Sequence, residues 1–379
     1  MLINKKKFYI ISFIAALFIF GNKEGFFSAG ASLNYILEIV AFSTLFFVTD
    51  RIKKSNFIII SILSLYVVLS YVYAVTVNKA LAADFLVIYK SYIYMALLLA
   101  ISTTRIRLNS DLFISILRFI LIAYLIVYSY QVFFTDINRP YFLAENNFEI
   151  MFICLVFLLK SFSCKPPTFL ETIVFVSIGV LSGSRSGLVL TGVSLIVSNY
   201  KYISFKNITF NLLVFLLFIY SLYEILIYDL INFSLDDIDR YLFFESFFNV
   251  YLESEFLNII FGQPRITPLP HEVCQTFLSY SNLFSNINDG TCYSVIWHTF
   301  IARILYDHGL IGFLFLIFSL FTFLRNLGYK REVIFTVIII VFLNGLSVSS
   351  MNSVFFFLSM LFYILLSKTP ARSNTDNAN

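Results

Sequence analysis

Runs of apolar residues separated by short polar punctuation recur along almost the whole of this chain. A helix needs about 20 apolar residues to cross roughly 30 Å of hydrocarbon. On that measure the pattern predicts twelve membrane-crossing helices, at 8–21, 33–49, 57–77, 81–102, 112–134, 148–162, 168–183, 186–200, 208–231, 299–324, 333–347 and 354–367. The expected fold class is therefore all-α, a polytopic transmembrane bundle. One connector breaks the rhythm. Residues 232–298 form a long polar loop rich in Asp, Glu, Ser, Asn and Pro, in which Tyr241–Phe248 and Phe256–Phe261 predict short helices lying along the membrane surface. The chain thus divides into nine spans over 1–231, the loop over 232–298, three spans over 299–367 and a tail over 368–379.

Composition agrees with a lipid solvent. Of the 379 residues 59% are hydrophobic and 13% charged, with a mean hydropathy of +0.87, leaving too little polar surface to cover a water-facing body of this size. The net charge of +4 carries little information and gives no reason to expect nucleic acid. Where the cations fall is more telling. With a cytoplasmic N-terminus, seventeen of the 26 Lys and Arg residues fall in connectors on the cytoplasmic side. Six (Lys23, Lys79, Arg139, Arg185, Arg240 and Arg265) fall on the outer side, and Lys90, Arg118 and Arg303 within spans. This is the positive-inside pattern. It predicts a multi-pass bacterial inner-membrane protein with both termini cytoplasmic and the long loop in the periplasm. A cleaved signal peptide over residues 1–31 is the other reading of the N-terminus; the small residues Ala29 and Ala31 stand far beyond the apolar stretch, which favours an uncleaved first helix.

Charges at the rim of a membrane mark sites by default, and several gather on the outer side. Arg185 sits in Ser182-Gly183-Ser184-Arg185-Ser186-Gly187, a small turn between two short spans where a starting helix exposes N–H groups to an anion. Asp236, Asp237, Asp239 and Arg240 open the loop, and on their own read as a solvated cap. Trp297-His298-Thr299-Phe300 closes it, followed by Arg303, Asp307, His308, Gly309 and Gly312. A histidine titrates near neutrality and takes a proton from a hydroxyl, whereas a lone rim histidine is more often structural. Arg303 and Asp307, four apart, have the spacing of an ion pair on one helix face. The connector Arg139–Asn147, with Glu145 and then Glu149, reads either as further site or as helix capping. Cys274 and Cys292 lie in the loop, where a disulfide and two free thiols are both open; Cys154 and Cys164 read as unreactive thiols. No Cys and His spacing suggests zinc.

Taken in order, these pieces resemble the bacterial O-antigen polymerase and O-antigen ligase superfamily, of which the Wzy-type polymerases are one branch. The resemblance rests on topology, the Ser-Gly-Ser-Arg-Ser-Gly turn, Arg240 early in one large loop, and a closing pattern of His298, Asp307 and Gly309-Leu310-Ile311-Gly312. Thr299 stands where the family usually has asparagine. The resemblance implies a fold like that of lipid-donor membrane glycosyltransferases, called GT-C. In such enzymes a sugar hydroxyl attacks the anomeric carbon of a glycan on undecaprenyl pyrophosphate. By resemblance, Arg185 and Arg240 bind the pyrophosphate and His298 is the base or a further phosphate contact. Arg139, Arg265 and Arg303 are secondary phosphate candidates, and Glu145, Asp237 and Asp239 alternative bases. Guanidinium groups would hold the pyrophosphate with paired donors, so neither a divalent metal nor another cofactor is expected. The expected partners are the undecaprenyl-pyrophosphate-linked oligosaccharide, membrane lipid and a chain-length regulator. Polymerase and ligase differ only in the acceptor. A flippase for the same lipid-linked sugars is the alternative of another class; against it stand the lack of an internal repeat and the small number of cations within spans.

Overall fold

A computed structural model describes residues 37–39, 42–43, 52–104, 106–135, 137, 139–143, 145–199, 219, 223, 239–285 and 290–367. Every regular element among them is helical. Before the loop the described helices are α1 (Lys54–Thr76), α2 (Ala82–Ile101), α3 (Ser110–Phe134), α4 (Asn146–Ser163), α5 (Phe169–Leu181) and α6 (Arg185–Asn199). The loop contributes α7 (Asp239–Leu252), α8 (Phe256–Phe261) and α9 (His271–Thr276), with 3₁₀ turns at Leu278–Leu283 and Ser294–Trp297. Then come α10 (Phe300–Asn326), α11 (Arg331–Gly345), a 3₁₀ turn at Ser350–Asn352 and α12 (Val354–Leu365).

Helices α1, α2, α3, α4 and α10 are long and apolar enough to cross a membrane, and the chain is a membrane protein. Helices stand at nine of the twelve expected spans; the expected spans 8–21 and 208–231, and most of 33–49, lie outside the described residues. Within the loop, α7 begins at Asp239 rather than Tyr241, so that Asp239 and Arg240 are its first residues.

Polar side chains tie the ends of the bundle. At one end Lys53 Nζ donates to the Asn326 carbonyl at 2.8 Å, Asn56 Nδ2 donates to Ser102 Oγ at 2.7 Å, and Tyr329 Oη donates to the Tyr363 carbonyl at 2.7 Å. This end carries Lys53 and Arg107, two of the cations expected on the cytoplasmic side. Between the ends α4 is the hub, with 15 of its 18 residues buried among α3, α6, α11 and α12. Large apolar side chains of α1, α3 and α10, such as Leu65, Ile126 and Leu314, point outward, as lipid contact requires.

The three cations expected within spans, Lys90, Arg118 and Arg303, all have partners, that of Arg303 being Ser349 Oγ at 2.6 Å. Lys90 pairs with Glu38. Arg118 and Lys160 both pair with Glu171, at 2.8 and 2.6 Å, and Glu171 also closes a capping box with Thr168 at the start of α5. Lys160 is 1% exposed. Removing one member of a buried pair strands the other charge, so Glu171→Gln is expected to cost about 3 kcal/mol. A lowered unfolding temperature in detergent micelles measures this; an unchanged one would mean that the pair does not hold α5 to α4.

Candidate functional site

The Ser-Gly-Ser-Arg turn is built by hydroxyls. Gly183 takes φ 59°, a left-handed conformation that suits glycine. Ser184 caps α6: its Oγ accepts from the Gly187 N–H at 3.2 Å and donates to Asn147 Oδ1 at 2.5 Å, which Ser186 also reaches. Asn146 Nδ2 donates to the carbonyls of Pro140 and Ser182, each at 2.7 Å, stitching this turn to the connector between α3 and α4. That connector is held in turn by Glu149, fully buried, whose carboxylate accepts from Tyr128 Oη at 2.9 Å and from the Phe142 and Leu143 N–H groups. The result brings exposed Arg139 near enough to half-buried Arg185 for their charges to repel. Two guanidinium groups beside a helix N-terminus suit a phosphate-type anion.

From Asn147 the polar track crosses to the other half of the bundle. Asn344 Nδ2 donates to the Asn147 carbonyl at 3.1 Å, and the connector after α11 then passes under the closing segment of the loop. There the Val348 carbonyl accepts from the Phe300 N–H at 3.1 Å, and Ser349 Oγ donates to the His298 carbonyl at 3.2 Å. His298 has φ 54°, and its half-buried ring lies 5.5 Å from Phe243 of α7 and 5.9 Å from Tyr280, centroid to centroid. Arg240 stands one turn before Phe243 in α7.

Below His298, Arg303 is 4% exposed and donates to Ser349 Oγ at 2.6 Å and to the Val87 carbonyl at 3.2 Å. The ion pair expected between Arg303 and Asp307 is not formed; Asp307 instead accepts from Ser294 Oγ at 2.5 Å. Neighbouring His308 bonds through Nδ1 to Tyr66 Oη at 2.7 Å within a cage of Tyr66, Tyr89 and Tyr92. Arg265 lies 4.9 Å over the Tyr66 ring, held there through Asn78, whose side chain binds the Arg265 carbonyl at 2.5 Å. The loop and the bundle meet at Gly309, where α10 kinks with φ 66° and ψ −176°, against Ile260 and Gly262.

Of the residues singled out from the sequence, Arg139 and Arg185 form one flank and His298, Arg303 and Arg265 the other, both at the same end of the bundle. Glu145 is exposed at the N-cap of α4. Asp239 and Arg240 are placed by their backbone only, and Asp237 lies outside the described residues. Sequence reasoning missed Ser349, the Asn147–Asn344 bridge and the Tyr66–His308 bond. A signal for the first was available: Ser347, Ser349, Ser350, Asn352 and Ser353 form a polar run between two apolar helices, too polar for a mere turn. No protein-family model matches this chain, and no curated protein does.

Proposed function

We propose that this protein is a glycosyltransferase that polymerises undecaprenyl-pyrophosphate-linked repeat units of O-antigen or a related surface polysaccharide. In this reading it has twelve spans of the GT-C-like kind in a bacterial inner membrane, with both termini cytoplasmic and the loop periplasmic. The observation that carries the proposal is the gathering of Arg139, Arg185, Arg265 and His298, from four separate segments, at one end of a membrane bundle. The Cys274–Cys292 disulfide at that end supports an oxidising, extracytoplasmic compartment.

In the reaction, an acceptor sugar hydroxyl attacks the anomeric carbon of the donor glycan. His298 takes the hydroxyl proton and later releases it to solvent. The bond from the anomeric carbon to pyrophosphate oxygen breaks, and undecaprenyl pyrophosphate leaves as an anion neutralised by Arg185 and Arg240, with Arg139 and Arg265 as further contacts. Guanidinium groups supply this charge without a divalent cation, so turnover is expected to persist in EDTA. A flippase would call for uncommitted cations along its path; Lys90, Arg118 and Arg303 are each held by the protein itself.

The test is deletion of the gene in its host, followed by electrophoresis of the lipopolysaccharide with plasmids restoring wild type, Arg185→Ala or His298→Ala. The expected result is a ladder collapsed to core plus one repeat unit, rescued by wild type alone. Loss of all O-antigen from the core, with long polymer left on the carrier lipid, would make the protein the ligase. An unchanged ladder would remove O-antigen as the substrate.

A further inference from the structure

Arg303 presents a puzzle that phosphate binding does not solve. Its guanidinium is buried, and among the described residues it has no carboxylate in direct contact and its Nε has no hydrogen-bond partner. Asp307, one turn along α10, offsets the charge only through space. A cation in such a place is expensive, and its partners say what it does. One Nη holds the Val87 carbonyl of α2; the other holds Ser349 Oγ, which in turn donates to the His298 carbonyl. Three segments distant in sequence are therefore tied together beneath one residue.

That residue needs holding. His298 is one of three non-glycine residues with positive φ among those described, a conformation costing on the order of 1 kcal/mol or more that persists where the surroundings impose it. Its N–H donates to the Val295 carbonyl at 3.2 Å, its carbonyl accepts from Ser349, and its ring is flanked by Phe243 and Tyr280. We infer that Arg303 and Ser349 are positioning residues: the buried guanidinium fixes the Ser349 hydroxyl against the His298 carbonyl, and this sets the left-handed backbone that presents the imidazole at the rim. Arg303 thereby acts through His298 instead of touching the pyrophosphate. The functional meaning rests on His298 being the base of the proposed reaction, whereas the relay itself can be tested without that reaction.

The chain has three histidines, His271, His298 and His308, so carbethoxylation by diethylpyrocarbonate, mapped by mass spectrometry on the purified full-length protein, reads each separately. His271 is exposed and serves as the internal reference; His308 is 2% exposed and reports loss of the fold by becoming reactive. Ser349→Ala and Arg303→Met are each expected to change the His298 rate about fivefold relative to His271, the equivalent of one neutral hydrogen bond. Ser349→Thr, which keeps the hydroxyl, should restore it. The double variant should shift the rate no further than the larger single change, because both act along one path. A His298 rate that stays at the wild-type value in Ser349→Ala, with His308 still protected, would overturn the inference. In the host, Ser349→Ala should weaken the glycan ladder and have no further effect on a His298→Ala background. If His298→Ala itself leaves the ladder intact, the proposed reaction fails while the carbethoxylation result stands on its own.

Discussion

Replacing Gly309 by alanine is expected to unseat the loop from the bundle and to destabilise the protein by on the order of 4 kcal/mol. The combination φ 66° and ψ −176° belongs to a region occupied almost only by glycine. A Cβ at this position would also stand 2.3 Å from the Gly262 N and 2.4 Å from the Ile260 carbonyl oxygen. Both atoms are backbone, so no side chain can swing aside. The contact is reciprocal: a Cβ on Gly262 would stand 2.5 Å from the Asp307 carbonyl oxygen. Relief requires α8 to lift from α10, breaking the 2.8 Å bond from the Gln263 N–H to the Tyr306 carbonyl and drawing Arg265 off Tyr66. The expected readouts are a lower unfolding temperature in detergent and new protease cleavage between residues 253 and 270. Gly290→Ala is the control: it too has a positive φ, 84°, but no described atom lies within 4 Å, so only the backbone strain remains. Equal losses in the two variants would show that the Gly262–Gly309 contact carries no weight.

The second large effect concerns Cys274 and Cys292, which are joined across a sequence separation of 18. A loop of that size constrains the unfolded chain by about 3 kcal/mol in the entropic account. The segment it encloses contains Tyr280, beside the His298 ring, and Ser285, whose hydroxyl donates to Asp84 of α2 at 2.8 Å. Cys292 also accepts through its carbonyl from the Leu269 N–H at 2.9 Å, so the bridge joins two parts of the loop core around Trp297. Cys274→Ser with Cys292→Ser is expected to open the 275–291 segment to proteolysis and to abolish the glycan ladder, while helices α1 to α6 remain folded. A double variant with wild-type ladder and wild-type protease resistance would show that the loop core holds this segment without the bridge.

Much of the architecture was legible in the sequence because hydrocarbon imposes a simple rule on each segment by itself. The expected spans 57–77, 81–102 and 112–134 match α1, α2 and α3 to within three residues at each end, and Phe256–Phe261 is a helix as its apolar run predicts. The site was legible only as residue types. Arg185 and Arg139 stood out because an arginine at the rim is costly. What brings them together is Asn146 and Asn147, which carry no charge and look like ordinary helix-starting residues. Asn147 meets Asn344 across 197 positions of chain, and no local pattern encodes such a contact. The kink at Gly309 was hidden for a different reason: the apolar run resumes directly after Asp307-His308-Gly309, so 299–324 reads as one span. Spacing alone also favoured a pair between Arg303 and Asp307; burial beside Ser349 and Ser294 gave each a different partner.

The shortness of α5 and α6 has a consequence for the surrounding bilayer. With 13 and 15 residues they extend about 20 and 22 Å at 1.5 Å per residue, well under the roughly 30 Å of an average hydrocarbon core. On the proposed twelve-span reading, in which both helices cross the membrane, the leaflet around the Ser-Gly-Ser-Arg turn dimples toward it, at a cost of fractions of a kcal/mol for each ångström of mismatch. Acyl-chain length thus becomes a variable of the site: a thin membrane leaves Arg185 at the water's edge, and a thick one draws lipid over it.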